Sequence, residues 1–244
     1  MGMSTARQDG PVTTSMPQLA LLASPLLGPA VWRPAAVALH GLGWRVLLVP
    51  RSMEAPRQPQ DVREHLLSDL PAEQQVAVVA HSNAGLYVPA LAAERPVVAT
   101  VFADAALPPA AGSTFLAPVG MHRFLEDLAD PDGLLPPWTQ WWDEQQLAPL
   151  FPDSAARAAV ESEQHRLPLG YFTATLNVPA GWAERPAAYL AFGDTYQAER
   201  EQAKRWGWPV RTMLGEHLHP LMDPTGVAAA LDDLLRELLQ LSRA

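Results

Sequence analysis

"VAVVAHSNAGLYVPALAA", residues 76–93, reads as a short apolar strand that ends on Ser82 and leaves in a helix. A strand, a sharp turn and a helix are what a nucleophile elbow requires: the turn holds a hydroxyl in strained backbone, and the first amides of the helix face a developing oxyanion. Small residues must flank such a serine, because larger side chains would collide with the neighbouring strand and helix. Ala80 and Ala84 occupy those flanking positions, where glycine would accept a strained turn more readily. A serine at a strand-to-helix junction equally suits a helix N-cap. On this stretch alone both readings stand.

Outward from the elbow, apolar runs of strand length alternate with segments of helical period. The runs are 19–24, 44–50, 75–81, 96–105, 187–193 and 208–214; between them lie "AVWRPAAVALHGLG", "QDVREHLLSDL", "GLYVPALAAE" and "TYQAEREQAKRWG", and "PTGVAAALDDLLRELLQL" closes the chain. Strands alternating with helices of about ten residues imply right-handed crossovers, so the expected class is α/β: a mostly parallel sheet of about six strands with helices on both faces. Near-continuous hydrophobicity in the strands agrees with burial on both sides. The alternation breaks after Leu107. Residues 108–185 are too many for a structureless loop and are read as a helical cap inserted over the carboxyl edge of the sheet, where open α/β sheets bind ligands. The core is then 18–107 with 186–244, preceded by a polar tail over 1–17. Trp138, Trp141 and Trp142 in "PPWTQWWDEQ" are either packing residues or an aromatic wall facing a substrate.

Composition narrows the function classes. A net charge of −9, without any cluster of Lys and Arg, leaves no footprint for nucleic acid or an anionic membrane. No apolar run reaches about 18 residues, and the N-terminus lacks the order of a signal peptide, so a cytoplasmic protein is expected. With zero cysteines, any chemistry falls to Ser, His and carboxylates. No His or carboxylate pair has convincing metal spacing, and no phosphate-cradling or dinucleotide-binding glycine pattern occurs; neither a metal nor an organic cofactor is implied.

A nucleophilic serine needs a base, and the last strand runs into "GEHLHPLMDP", which carries His217 and His219 in the loop before the final helix. In this order of elements that loop lies beside the carboxyl end of the serine's strand. The strand, the "HSNAG" elbow, the inserted cap and "GEHLHPLMDP" together resemble the α/β-hydrolase superfamily over most of the chain. "LLASPLLGPAVWRPAAVAL" and "VFADAALP" are most similar to its esterase and hydroxynitrile-lyase branch, with the amino-terminal hairpin of larger members reduced.

The resemblance implies Ser82 as nucleophile, the amide of Asn83 as one oxyanion donor, and His217 as base, since its interval to "DP" fits the family's ending better than that of His219. His40, His65, His122 and His165 are expected on helices, as solvated or packed side chains, and Glu216 as a solvated charge. The second oxyanion amide should follow a His-Gly pair, but "AS" replaces that pair and the donor position falls on Pro25, which has no N–H. Leu26 is then the substitute donor, with Pro25 lining the substrate site. The acid has two addresses. Asp194 follows the penultimate strand in "FGDTYQ", a residue short of the family's turn; Asp104 is preferred because its strand neighbours that of the serine. The implied function is a serine hydrolase acting on a small or medium-sized ester, lactone or thioester. The alternative is a lyase, cyclase or epimerase on the same fold that uses His217 as acid/base, compatible with secondary metabolism. A non-catalytic binding protein is the third reading.

Overall fold

The computed structural model describes residues 16–51 and 54–241. Most of the expected amino-terminal tail, residues 1–15, lies outside them. Among the described residues eight strands follow in chain order: β1 (Gln18–Leu22), β2 (Val46–Val49), β3 (Val76–Ser82), β4 (Val97–Ala105), β5 (Gly112–Phe115), β6 (Thr175–Val178), β7 (Ala187–Phe192) and β8 (Val210–Met213). Six of them form one parallel sheet in the order β2-β1-β3-β4-β7-β8, and it does not close into a barrel. The six apolar windows all become strands of this sheet, shortened by a residue or more at most ends.

Two buried cores explain why those windows show no polar alternation. Along β1, Ala20 and Leu22 join one core while Leu19 and Leu21 join the other; along β3, Val76, Val78 and Ala80 divide in the same way from Ala77 and Val79. With a period of two, both faces of these central strands enter a core. Helices Arg33–Gly41 and Pro224–Leu241 cover one face, through Ala35, Leu39, Val227, Leu231 and Leu235 among others. Helices Pro59–Asp69, Val88–Glu94 and Gln197–Arg205 contribute Leu66, Leu91 and Ala203 to the other.

The segment between β4 and β7 covers part of this second face. It is not purely helical as expected: β5 and β6 pair antiparallel, Gly112 opposite Val178 through Phe115 opposite Thr175, and bring its two ends together. Four short α-helices lie between, of which Glu144–Leu147 and Ser154–Glu161 start on aspartate caps, Asp143 and Asp153. Glu163, beyond the second of these, accepts the amide of Ala30 at 2.6 Å and pairs with Arg33, which ties the segment to the turn after β1.

Candidate active site

The elbow is built as the sequence suggested. Ser82 ends β3 with φ 57° and ψ −132°, a backbone conformation that L-residues rarely adopt, and a 3-10 turn over Asn83–Tyr87 leads into the helix Val88–Glu94. Gly85 is required there: a Cβ on it would sit 2.2 Å from the carbonyl oxygen of Ala106. Ser82 makes no cap hydrogen bond, so the N-cap reading finds no support.

Asp104 reaches the site through a bulge. The β3–β4 register runs from His81 opposite Ala103 to Ser82 opposite Ala105, so Asp104 is the extra residue, and its φ is 44°. A bulge re-aims one side chain out of the strand alternation. Here it directs a fully buried carboxylate at His217: Nδ1 of the imidazole donates to Oδ2 at 2.7 Å, while Oδ1 accepts the amide of Phe192 at 3.1 Å. The Tyr189 hydroxyl fixes the turn, accepting from the amide of Ala105 and donating to its carbonyl. With Nδ1 committed to the carboxylate, Nε2 of His217 is the imidazole's remaining acceptor.

Ser82 and His217 line one cavity of about 550 Å³ with Trp138, Trp141, Trp142 and Leu26. No hydrogen bond joins Ser82 to His217 among the described residues; Oγ lies 3.4 Å from the Tyr196 hydroxyl instead. The other expected site residues divide. Asp194 is not brought to the site: its side chain is 79% exposed and pairs with Arg200 at 3.1 Å. Pro25 lies in a separate, smaller cavity with Arg51 and His165, not against Ser82. The amide of Leu26 is already engaged by the Ser24 hydroxyl at 3.3 Å. His219 packs on Phe192 and does not line the main cavity. His165 sits in a loop rather than a helix.

Both polar atoms of the Asn83 side chain are bonded within the protein. Its Nδ2 donates to the Leu116 carbonyl at 2.7 Å and its Oδ1 accepts from the Tyr171 hydroxyl at 2.9 Å, which in turn bonds Tyr87. Its backbone amide opens the 3-10 turn, where helical N–H groups have no partner within the helix.

Three residues of the site escaped the sequence reading. Tyr196 lies two residues beyond Asp194 in "FGDTYQ", and its ring packs at 5.7 Å on that of His217. Burial, above all, raises its phenol above the ordinary value, so it is a neutral donor. Glu199, one turn further, lines the cavity with its carboxyl held above the usual carboxylate range by burial and, less strongly, by Asp104. His81 is fully buried behind the site. Its ring stacks on that of His217 at 4.5 Å and its Nε2 donates to the His217 carbonyl at 2.9 Å. Desolvation holds its pKa well below the ordinary histidine value. Their signal was an aromatic at the start of the helix that leaves β7 with a carboxyl three residues on, and a histidine immediately before the elbow serine.

Among the described residues no three His, Asp or Glu side chains converge as a metal cluster, and no helix is long and apolar enough to cross a membrane. No protein-family model and no curated protein matches the sequence. Solved structures do match. An extracellular α/β-hydrolase from a Paenibacillus species, described as sharing structural and functional homology with tobacco salicylic acid binding protein 2, superposes with a TM-score of 0.66 at 17% identity, over 91% of this chain and 99% of that one. A pyrethroid hydrolase aligns with a TM-score of 0.66 at 16% identity, over 91% and 98%. A methylesterase from Arabidopsis gives 0.66 at 15% identity, over 90% and 99%. At such identities the likeness carries the fold, which is that of the α/β-hydrolases.

Proposed function

We propose that this chain is an enzyme, a serine hydrolase that cleaves a small or medium-sized carboxylic ester, lactone or thioester. The observation that carries the reading is the convergence, in one apolar cavity, of a serine at a positive-φ elbow and an imidazole bonded at 2.7 Å to a buried carboxylate. Ser82 Oγ attacks the carbonyl carbon. A C–O bond forms, the carbonyl electron pair moves onto oxygen, and the hydroxyl proton passes to Nε2 of His217. Collapse of the adduct expels the leaving oxygen or sulfur, which takes that proton. Water then attacks the acyl-serine through the same base, releasing the acid and restoring Ser82.

Asp104 holds the imidazole in its tautomer and stabilises the imidazolium. Ser82 must turn from Tyr196 towards His217 for the first step, a movement in keeping with apo sites, whose catalytic hydrogen bonds tighten on substrate binding. The Asn83 amide supplies one oxyanion donor, and the Leu26 amide a second once it leaves Ser24 Oγ. Trp138, Trp141 and Trp142 shape the apolar wall and exclude water.

The test is labelling with a fluorophosphonate. The expected result is a mass shift on the peptide carrying Ser82, absent in Ser82→Ala. A folded protein that takes no adduct defeats the hydrolase reading. It would favour proton-transfer chemistry by His217 on this fold, as in lyases, cyclases and epimerases. One observation favours that second reading, namely the engaged Leu26 amide, which leaves the hole one donor short. Under it, Ser82→Ala retains turnover and His217→Ala does not.

A further inference from the structure

Among the described residues Tyr196 is the one polar group in contact with the serine hydroxyl, and the reaction above leaves it without a task. Among the described residues its hydroxyl has no other hydrogen-bonding partner. The strand order decides on which flank of the serine it stands. β3, which ends on Ser82, has β1 on one side and β4, β7 and β8 in succession on the other. The turn after β1, with Ser24 and Leu26, therefore lies on one flank, and the loops after β7 and β8, with Tyr196 and His217, lie on the opposite one. Tyr196 belongs to the flank of the base, and its ring rests against the imidazole at 5.7 Å.

Attack by a serine orders the substrate along that axis. The carbonyl oxygen turns towards the elbow amide, and the leaving group must lie within reach of the imidazolium that protonates it. A donor beside His217 and 3.4 Å from Oγ is thus placed against the leaving group rather than the oxyanion. Resting on the hydrolase reading above, we propose that the Tyr196 hydroxyl is a catalytic residue that donates a hydrogen bond to the leaving-group oxygen as the C–O bond breaks. The proton that ends on the leaving alcohol comes from His217; the tyrosine keeps its own and lends only the hydrogen bond. Burial keeps the phenol protonated, as the role requires.

The assignment predicts a dependence on the leaving group that a structural or oxyanion role lacks. A nitrophenyl ester departs without needing a proton, whereas an alkyl ester of the same acid expels an alkoxide that must be protonated. Tyr196→Phe keeps the ring on His217 and removes an oxygen whose single partner is Ser82, so the variant folds. Its kcat/KM, which reports acylation, should fall about 10- to 100-fold for the alkyl ester and by less than about threefold for the nitrophenyl ester, with KM little changed. An equal loss on both esters would place the hydroxyl at the carbonyl oxygen and overturn the proposal. An unchanged rate on both would make Tyr196 a packing residue and overturn it too. A wild-type protein inert to both esters and unlabelled at Ser82 overturns the hydrolase reading itself, and the assignment with it.

Discussion

At the scale of single residues the site depends on two backbone positions that favour other residue types. Ser82 and Asp104 both hold positive φ, and they lie on adjacent strands at the point where the register slips. Each is tied at the junction: the Ser82 carbonyl accepts the Ala106 amide at 3.1 Å, and Tyr189 brackets Ala105. Strain of this kind, of order 1–3 kcal/mol per residue, persists only where its surroundings over-determine it. Asp104→Asn should keep the geometry but leave the imidazole without its carboxylate, and we expect kcat/KM on an ester to fall about 10⁴-fold. Asp194→Asn, on an exposed side chain, should stay within about twofold. Steady-state kinetics of the two variants side by side separates these acids, and a reversed pattern would rule out the triad as drawn. Gly85 constrains the same junction by space rather than by φ. Gly85→Ala sets a Cβ 2.2 Å from the Ala106 carbonyl and 3.2 Å from the Ala105 side chain, so the β4 bulge has to move. A loss of about 1–3 kcal/mol in urea unfolding is expected, together with slower fluorophosphonate labelling of Ser82.

Among elements, the contact that aligns the β4–β7 excursion with the elbow is a buried chain of polar groups. Tyr171, on the short helix Leu169–Thr173, links Tyr87 at 2.6 Å to Asn83 at 2.9 Å, and Asn83 carries the chain on to the Leu116 carbonyl. Removing the central hydroxyl in Tyr171→Phe strands Asn83 Oδ1 in an apolar site. We expect about 1–3 kcal/mol of destabilisation in thermal or urea unfolding, and a KM for an ester that rises because Asn83 and Leu116 line the same cavity as Ser82. None of this chain is legible in the sequence, since Asn83, Tyr87 and Tyr171 carry no spacing that joins residues 84 positions apart. The β5–β6 pair was hidden for a similar reason. "GSTF" is largely exposed and "TLNV" buries only Leu176 and Val178, so neither four-residue run has the continuous apolar signal of the sheet strands, and their pairing spans the whole excursion. The strand-to-helix junction at Ser82 was legible, because a tight elbow restricts the residues that can flank it. Asp104 could be singled out as a carboxylate near the carboxyl end of a strand, but the bulge that turns it towards His217 could not. Tyr196 went unnoticed because the turn "FGDTYQ" presents an aspartate first, and only the fold shows that Asp194 faces out while Tyr196 faces in.

For the molecule as a whole, the sheet with its two covered faces places the site where a titrating residue of the core is coupled to global stability. His81 alternates into the buried end of β3, with Trp32 edge-on at 5.7 Å and His217 stacked at 4.5 Å. Among the described residues its Nδ1 has no partner, so only the neutral ring, donating from Nε2, fits this environment. Desolvation is the largest cause of its depressed pKa, and the neighbouring His217 adds to it. The unfolded chain therefore binds a proton at pH values where the native state does not. Stability is unaffected by this group above the unfolded value near 6.5, and it falls as pH drops below that value, with a slope of up to about 1.4 kcal/mol per pH unit until the native ring itself protonates. His81→Gln retains an amide donor for the His217 carbonyl and does not titrate. The difference in urea-unfolding free energy between wild type and variant should stay constant above pH 7, and should shift in the variant's favour as pH falls from 6.5 towards 5. A difference that stays flat across this range would mean that His81 is protonated in the native state as readily as in the unfolded chain, and would overturn the buried neutral ring behind Ser82.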